Sequence, residues 1–88
     1  MAMTKKTITV FSDNRPTDED TEYNNERVAF MQTMVDDGKA DALRGTLLAD
    51  GSLQRNWLDE SAANEFVTFF NGLTAKYNFV QTTTISDL

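Results

Sequence analysis

The sequence predicts an α+β domain, with one four-stranded antiparallel sheet carrying two helices on one face in the order β-α-β-β-α-β. Three observations predict it. Strand-like stretches stand near the two ends of the chain, at residues 4–12 and 79–85. Two inner stretches repeat apolar residues at helical spacing, at 22–36 and from about 60 to 77. Between them, Asp50-Gly51 divides a third extended region into two strands.

Each element has its own signal. In residues 4–12, Ile8 and Val10 point one way and Thr7, Thr9 and Phe11 the other, at period two. Asp13-Asn14-Arg15-Pro16 ends that strand, because proline disfavours helix at the residue before it. The acidic run 17–22 suits a solvated loop or a first helical turn. In the first helix, Val28, Met31 and Val35, with Phe30 and Met34 beside them, form the predicted apolar stripe, and Gly38 supplies a left-handed stop. Residues 42–49 and 52–58 form the hairpin strands. Asp59 or Ser61 can cap the second helix, whose predicted buried face is Ala62, Phe66, Phe69, Phe70, Leu73 and Tyr77. Asn78 can end it in the left-handed region, and Thr82-Thr83-Thr84 favours extended backbone through branching at Cβ. The arrangement that satisfies this order compactly is ferredoxin-like.

At 88 residues the chain makes one small domain, with 1–3 and 13–21 expected to be its loosest parts. Hydrophobic residues are 40% and charged residues 25%, which fits a globular chain and not a disordered one. Cys and His are both absent. Disulfides, thiolate nucleophiles and imidazole bases are therefore excluded, and with them serine triads and nearly all structural zinc chemistry. Fourteen acids against eight bases give a net charge of −6, and Lys5-Lys6 is the one basic pair. That balance disfavours direct binding to nucleic acid or to an anionic membrane surface, and leaves solubility or a basic protein partner as its uses. No apolar run reaches the length of a signal-peptide core or a membrane span, so the expected location is the cytoplasm, or a host cytoplasm for a viral protein.

Catalytic signals are weak. Asp18/Glu19/Asp20, Asp36/Asp37 and Asp59/Glu60 are sequence neighbours at helix ends, where carboxylates cap and solubilise. Asp18, Asp20 and Glu22 alternate as oxygen ligands can, but the glycine and distant glutamate of a calcium loop are missing. Gly38, Gly45, Gly51 and Gly72 do not cluster into a phosphate cradle. No catalytic residue, metal or cofactor is expected.

The most informative expectation concerns the hairpin. If Asp50-Gly51 is a two-residue loop, Leu48 faces Leu53, Thr46 faces Arg55 and Arg44 faces Trp57. Leu43, Gly45, Leu47 and Leu58 then pack under the helices. Arg44, Thr46, Leu48, Leu53, Arg55 and Trp57 share the other, open face, joined by Phe11 and Thr9 of the first strand. Such an exposed apolar patch marks an interface, and Trp with Arg is the composition of binding hot spots. A slip of one residue would instead put Trp57 in the core.

The hairpin Leu47-Leu48-Ala49-Asp50-Gly51-Ser52-Leu53-Gln54-Arg55-Asn56-Trp57, running into Leu58-Asp59-Glu60-Ser61-Ala62-Ala63-Asn64-Glu65-Phe66, resembles the dimeric α/β-barrel group over about residues 42–73. The resemblance implies a homodimer whose open sheets face each other. His-based chemistry and haem ligation do not carry over, because this chain has no His. The short acidic chain is also similar in character to small phage proteins, which implies a host protein as a partner. The expected function is a non-catalytic interaction or accessory protein, homodimeric through its open sheet face. The alternative is a small-molecule-binding protein or cofactor-free enzyme of the dimeric α/β-barrel type, with a pocket near Trp57, Asn56 and Tyr77.

Overall fold

The computed structural model describes residues 2–11 and 21–88. The expected break at 13–16, most of the acidic run and the Asp18/Asp20 pair lie outside these residues. The elements follow the predicted order: β1 (Lys5–Phe11), α1 (Thr21–Asp36), β2 (Thr46–Leu47), β3 (Leu53–Trp57), α2 (Glu60–Tyr77) and β4 (Gln81–Asp87). The strands form one antiparallel sheet in the order β2-β3-β1-β4, the ferredoxin-like arrangement.

Local chemistry sets the helix ends. Asp59 caps α2 in extended backbone, its carboxylate accepting from the Ala62 N–H at 2.9 Å. Asn78 ends the helix at φ 55, and its N–H reaches the Thr74 carbonyl. Gly38, at φ 74, lets the chain turn back after α1.

The buried face of α2 is Ala62, Ala63, Phe66, Phe70 and Leu73, with Phe69 and Tyr77 half-buried. The stripe on α1 differs from the expected one. Tyr23, Arg27, Met31 and Met34 are buried, while Val28 is exposed. Met31 and Met34 were expected; Tyr23 and Arg27 extend their row back at helical spacing, and Arg27 is a cation that an apolar count passes over.

The hairpin loop is one residue longer than expected. Leu47 pairs with Leu53 and Thr46 with Gln54. The Gly51 N–H donates to the Leu48 carbonyl at 3.0 Å, and the Leu48 N–H to the Ser52 carbonyl at 2.9 Å. With Gly51 at φ 88, this is a turn closed by a left-handed bulge residue, the other loop that Asp-Gly serves. The Asp50 carboxylate completes it by accepting from both the N–H and the hydroxyl of Ser52. Those bonds hold the Asp50 carboxyl below its ordinary range.

Beyond the hairpin, β2 is interrupted. Ala40 bridges to Trp57, but pairing resumes only at Thr46 with Gln54. Residues 41–45 therefore bow outward opposite just Arg55 and Asn56, and the long strand expected over 42–49 is reduced to two residues.

Candidate functional site

Paired residues in adjacent strands share a face, so the registers sort every strand side chain. Lys5 pairs with Trp57, Thr7 with Arg55 and Thr9 with Leu53, and across β4 Thr7 pairs with Ile85. Phe11, Thr9, Leu53, Arg55 and Trp57 do lie on one face, as expected, but it is the face beneath the helices. Trp57 is 0% exposed, and its ring centre lies 4.9 Å from that of Phe66. The indole N–H donates to the Thr7 hydroxyl at 2.9 Å. The expected contact surface is thereby overturned for these side chains. Trp57 and Arg55 are core residues, and Phe11 and Leu53 are half-buried at its margin. Leu47, on the same side of β2, is 69% exposed, and Leu48 lies half-buried at the hairpin turn. Arg44 is exposed in the 41–45 excursion. Thr46 alone of the expected set lies on the open face.

The physical reason is the loop length. An odd-length loop moves β2 by one position, and a one-residue slip exchanges faces. With Leu47 opposite Leu53, both leucines fall on the side of the hairpin that carries Arg55 and Trp57, and the helices cover that side along β3, while Leu47 at the edge stays exposed.

The alternative pocket near Trp57, Asn56 and Tyr77 does not assemble. Asn56 lies on the face opposite Trp57 and donates to Asp41 Oδ2 at 2.9 Å. Tyr77 donates its hydroxyl to Glu26 at 2.5 Å, on the α1–α2 side. That bond, helped by Lys76 at 3.1 Å, holds the Glu26 carboxyl below its ordinary range. Among the described residues no group of three or more carboxylates converges as a metal site would require. No helix among them is long and apolar enough to cross a membrane.

Two features emerge in place of the expected patch. The first is the open sheet face, which carries Lys6, Ile8 and Val10 from β1, Thr82, Thr84 and Ser86 from β4, Gln54 and Asn56 from β3, and Thr46 from β2. Among the described strand residues this face has no carboxylate and no aromatic ring. Asp41, held by Asn56, touches its margin. Val10 is 54% exposed here. The outer edge of β4 also leaves half its backbone N–H and C=O groups unpaired among the described residues.

The second feature lies on the helix side. Arg55 is 5% exposed, with its guanidinium 5.2 Å from the Phe66 ring centre and 5.6 Å from that of Phe70. Its Nε and Nη1 are buried without a hydrogen-bond partner. Burial, and secondarily the nearby Arg27 guanidinium, push its pKa down to about 10, so it remains a cation at neutral pH. Two desolvated rings return on the order of 2 kcal/mol each. Burying a cation costs several kcal/mol, so the rings offset much of the charge, but they leave the Nε and Nη1 donors without an acceptor. Sequence reading missed this pair of arginines because charged residues are normally assigned to the surface. The available signal was Arg55 two residues from Trp57, on the same strand face.

No protein family, curated protein or solved structure matches this chain.

Proposed function

We propose that the chain is a small non-catalytic interaction protein that pairs with a second copy of itself through the open face of its sheet, in the cytoplasm. The observation that carries the reading is the absence of carboxylates from the described strand residues of that face, in a chain with fourteen acids and a net charge of −6. Two copies so charged repel, and they approach most readily where neither presents an acid. Depletion of charge at the centre is also what distinguishes interface cores. Ile8, Val10 and the threonines of β4 supply a flat β-branched surface, and a two-fold axis lets the same patch serve both partners. The resemblance to the dimeric α/β-barrel group supports the same pairing.

Size-exclusion chromatography with light scattering at high micromolar concentration tests it. A dimer is expected, and Thr84→Glu, which sets one carboxylate from each copy at the interface, should return a folded monomer. A wild-type monomer, or a dimer indifferent to Thr84→Glu, overturns the reading.

A further inference from the structure

We propose that Arg55 anchors a binding site for a small oxyanion, a carboxylate or phosphate group, beneath the 41–45 excursion. This inference does not rest on the pairing of sheets, because Arg55 faces the opposite side.

Three observations carry it. First, a cation buried to 95% presents two guanidinium nitrogens, Nε and Nη1, that nothing satisfies. Buried donors are ordinarily bonded, and the exceptions mark a missing partner. The chain has fourteen acids, yet none of the described residues reaches Nε or Nη1 of Arg55. Second, Arg27 is buried nearby, bonded to Asn24 Oδ1 at 2.7 Å, and its guanidinium is close enough to act electrostatically on Arg55. Third, the ladder opens where access is needed. Opposite Arg55 the chain runs as the irregular, largely exposed segment 41–45 instead of a strand. Its last residue is Gly45, whose absent side chain would lie 3.4 Å from Arg55 Nη1 and 3.4 Å from its Cγ.

The chemistry selects the ligand class. A guanidinium offers planar N–H donors and a fixed charge, which match carboxylate and phosphate oxygens in strong charge-assisted bonds. The Phe66 and Phe70 rings hold the plane in place from below, so little side-chain freedom is lost on binding. A neutral ligand would leave the charge uncompensated. A cation would be repelled by Arg55 and Arg27 together.

The test titrates the protein with acetate, succinate and inorganic phosphate at constant ionic strength, with chloride as control. The readouts are the ¹⁵N resonance of Arg55 Nε and the melting temperature. A saturable shift of that resonance with a saturable rise in melting temperature is expected from at least one probe and not from chloride. Whichever of the carboxylates or phosphate saturates first identifies the source. Arg55→Met should cut the apparent affinity by roughly ten- to a hundredfold, as removal of a charged hydrogen-bond donor does. Gly45→Ala sets a methyl group in van der Waals contact with the guanidinium, filling the space beside Nη1 without altering charge, and should weaken binding in a chain that still folds. No saturable response in the wild-type protein, or a response equal to that of chloride, overturns the proposal. So does a response that survives Arg55→Met or, should that variant not fold, one that Gly45→Ala leaves unchanged.

Discussion

The bond between Trp57 and Thr7 can be measured directly, and the measurement decides which side of the sheet is the core. Thr7→Val keeps the side-chain shape but removes the acceptor 2.9 Å from the indole N–H. Both residues are 0% exposed, so water cannot replace the lost partner. An orphaned buried donor costs about 1–3 kcal/mol. Trp57→Phe orphans the Thr7 hydroxyl instead and leaves a space beneath Phe66, for a total of about 2–4 kcal/mol. The double variant keeps that space but leaves neither polar group stranded. Its cost should fall short of the sum by about 1–2 kcal/mol. An 88-residue domain holds roughly 4–13 kcal/mol in all, so each single loss is large but survivable. Urea unfolding followed by far-UV circular dichroism reads all four proteins, since the tryptophan itself is altered in two of them. With a denaturant slope of about 1 kcal/mol per molar, Thr7→Val should move the midpoint by about 1–3 M. If Thr7→Val falls within about 0.5 kcal/mol of wild type and the single effects simply add, the indole is not bonded in a core and the face assignment fails.

Other outcomes follow from the same contacts. Arg55→Met should be neutral or stabilising in the absence of ligand, because it exchanges a buried cation with two unsatisfied donors for an apolar chain of similar length; calorimetry reads the difference. Because folding lowers the Arg55 pKa from the ordinary arginine range to about 10, the unfolded chain binds more protons than the folded one above that value. Stability therefore rises with pH there, and the gap between Arg55→Met and wild type should narrow above pH 10. Glu26 behaves with the opposite sign. Its pKa is lowered from 4.5 in the fold, so its contribution is present above that value and fades as pH falls through the lowered one. Glu26→Gln should flatten the acid limb of a pH–stability profile. Gly72 sits exposed within α2 with nothing within 4 Å of where a Cβ would stand, so Gly72→Ala should stabilise by about 0.5–1 kcal/mol in the same urea assay.

Much of the fold was legible because its signals are local. The Asp59 cap, the Asn78 stop, the aromatic face of α2 and the threonine-rich last strand each act through neighbours a few residues away. The division of β1 was legible too, with Thr7, Thr9 and Phe11 on one side and Ile8 and Val10 on the other. The faces were inverted because one turn pair serves two loops. Asp50-Gly51 fits a two-residue loop and equally a three-residue loop with a left-handed glycine, and only the second sets Leu47 against Leu53. Both registers set a leucine against Leu53, Leu48 in the first and Leu47 in the second, so side-chain pairing did not choose between them. The break at 41–45 had no comparable signal, since nothing local in Asp41-Ala42-Leu43-Arg44-Gly45 forbids a strand up to its glycine. Thr7 and Thr9 in the core read as strand residues but not as buried ones; the indole that satisfies Thr7 is fifty positions away, and the Thr83 hydroxyl 3.2 Å from that of Thr9 is farther still.

The sheet separates two kinds of binding surface, and that separation gives each its own logic. On the open side, acids are absent from the described strand residues and the surface is largely β-branched, with Lys6 as its one strand charge. It is suited to a partner of the same shape and unsuited to a small charged ligand. On the helix side, the covering layer is aromatic and encloses two guanidiniums, which is the setting proposed for a compact anion. The strand between them, β3, contributes alternately to both: Gln54 and Asn56 to the first, Arg55 and Trp57 to the second. A ligand at Arg55 makes no contact with the open face, so it has no differential interaction with monomer and dimer unless it shifts β3 as a whole. Without such a shift, linkage requires that dimerisation leave oxyanion affinity unchanged, and the reverse. A measured coupling would therefore locate the movable element in β3 and its unsupported neighbour at residues 41–45, the one place where the ladder that should hold this strand is already interrupted.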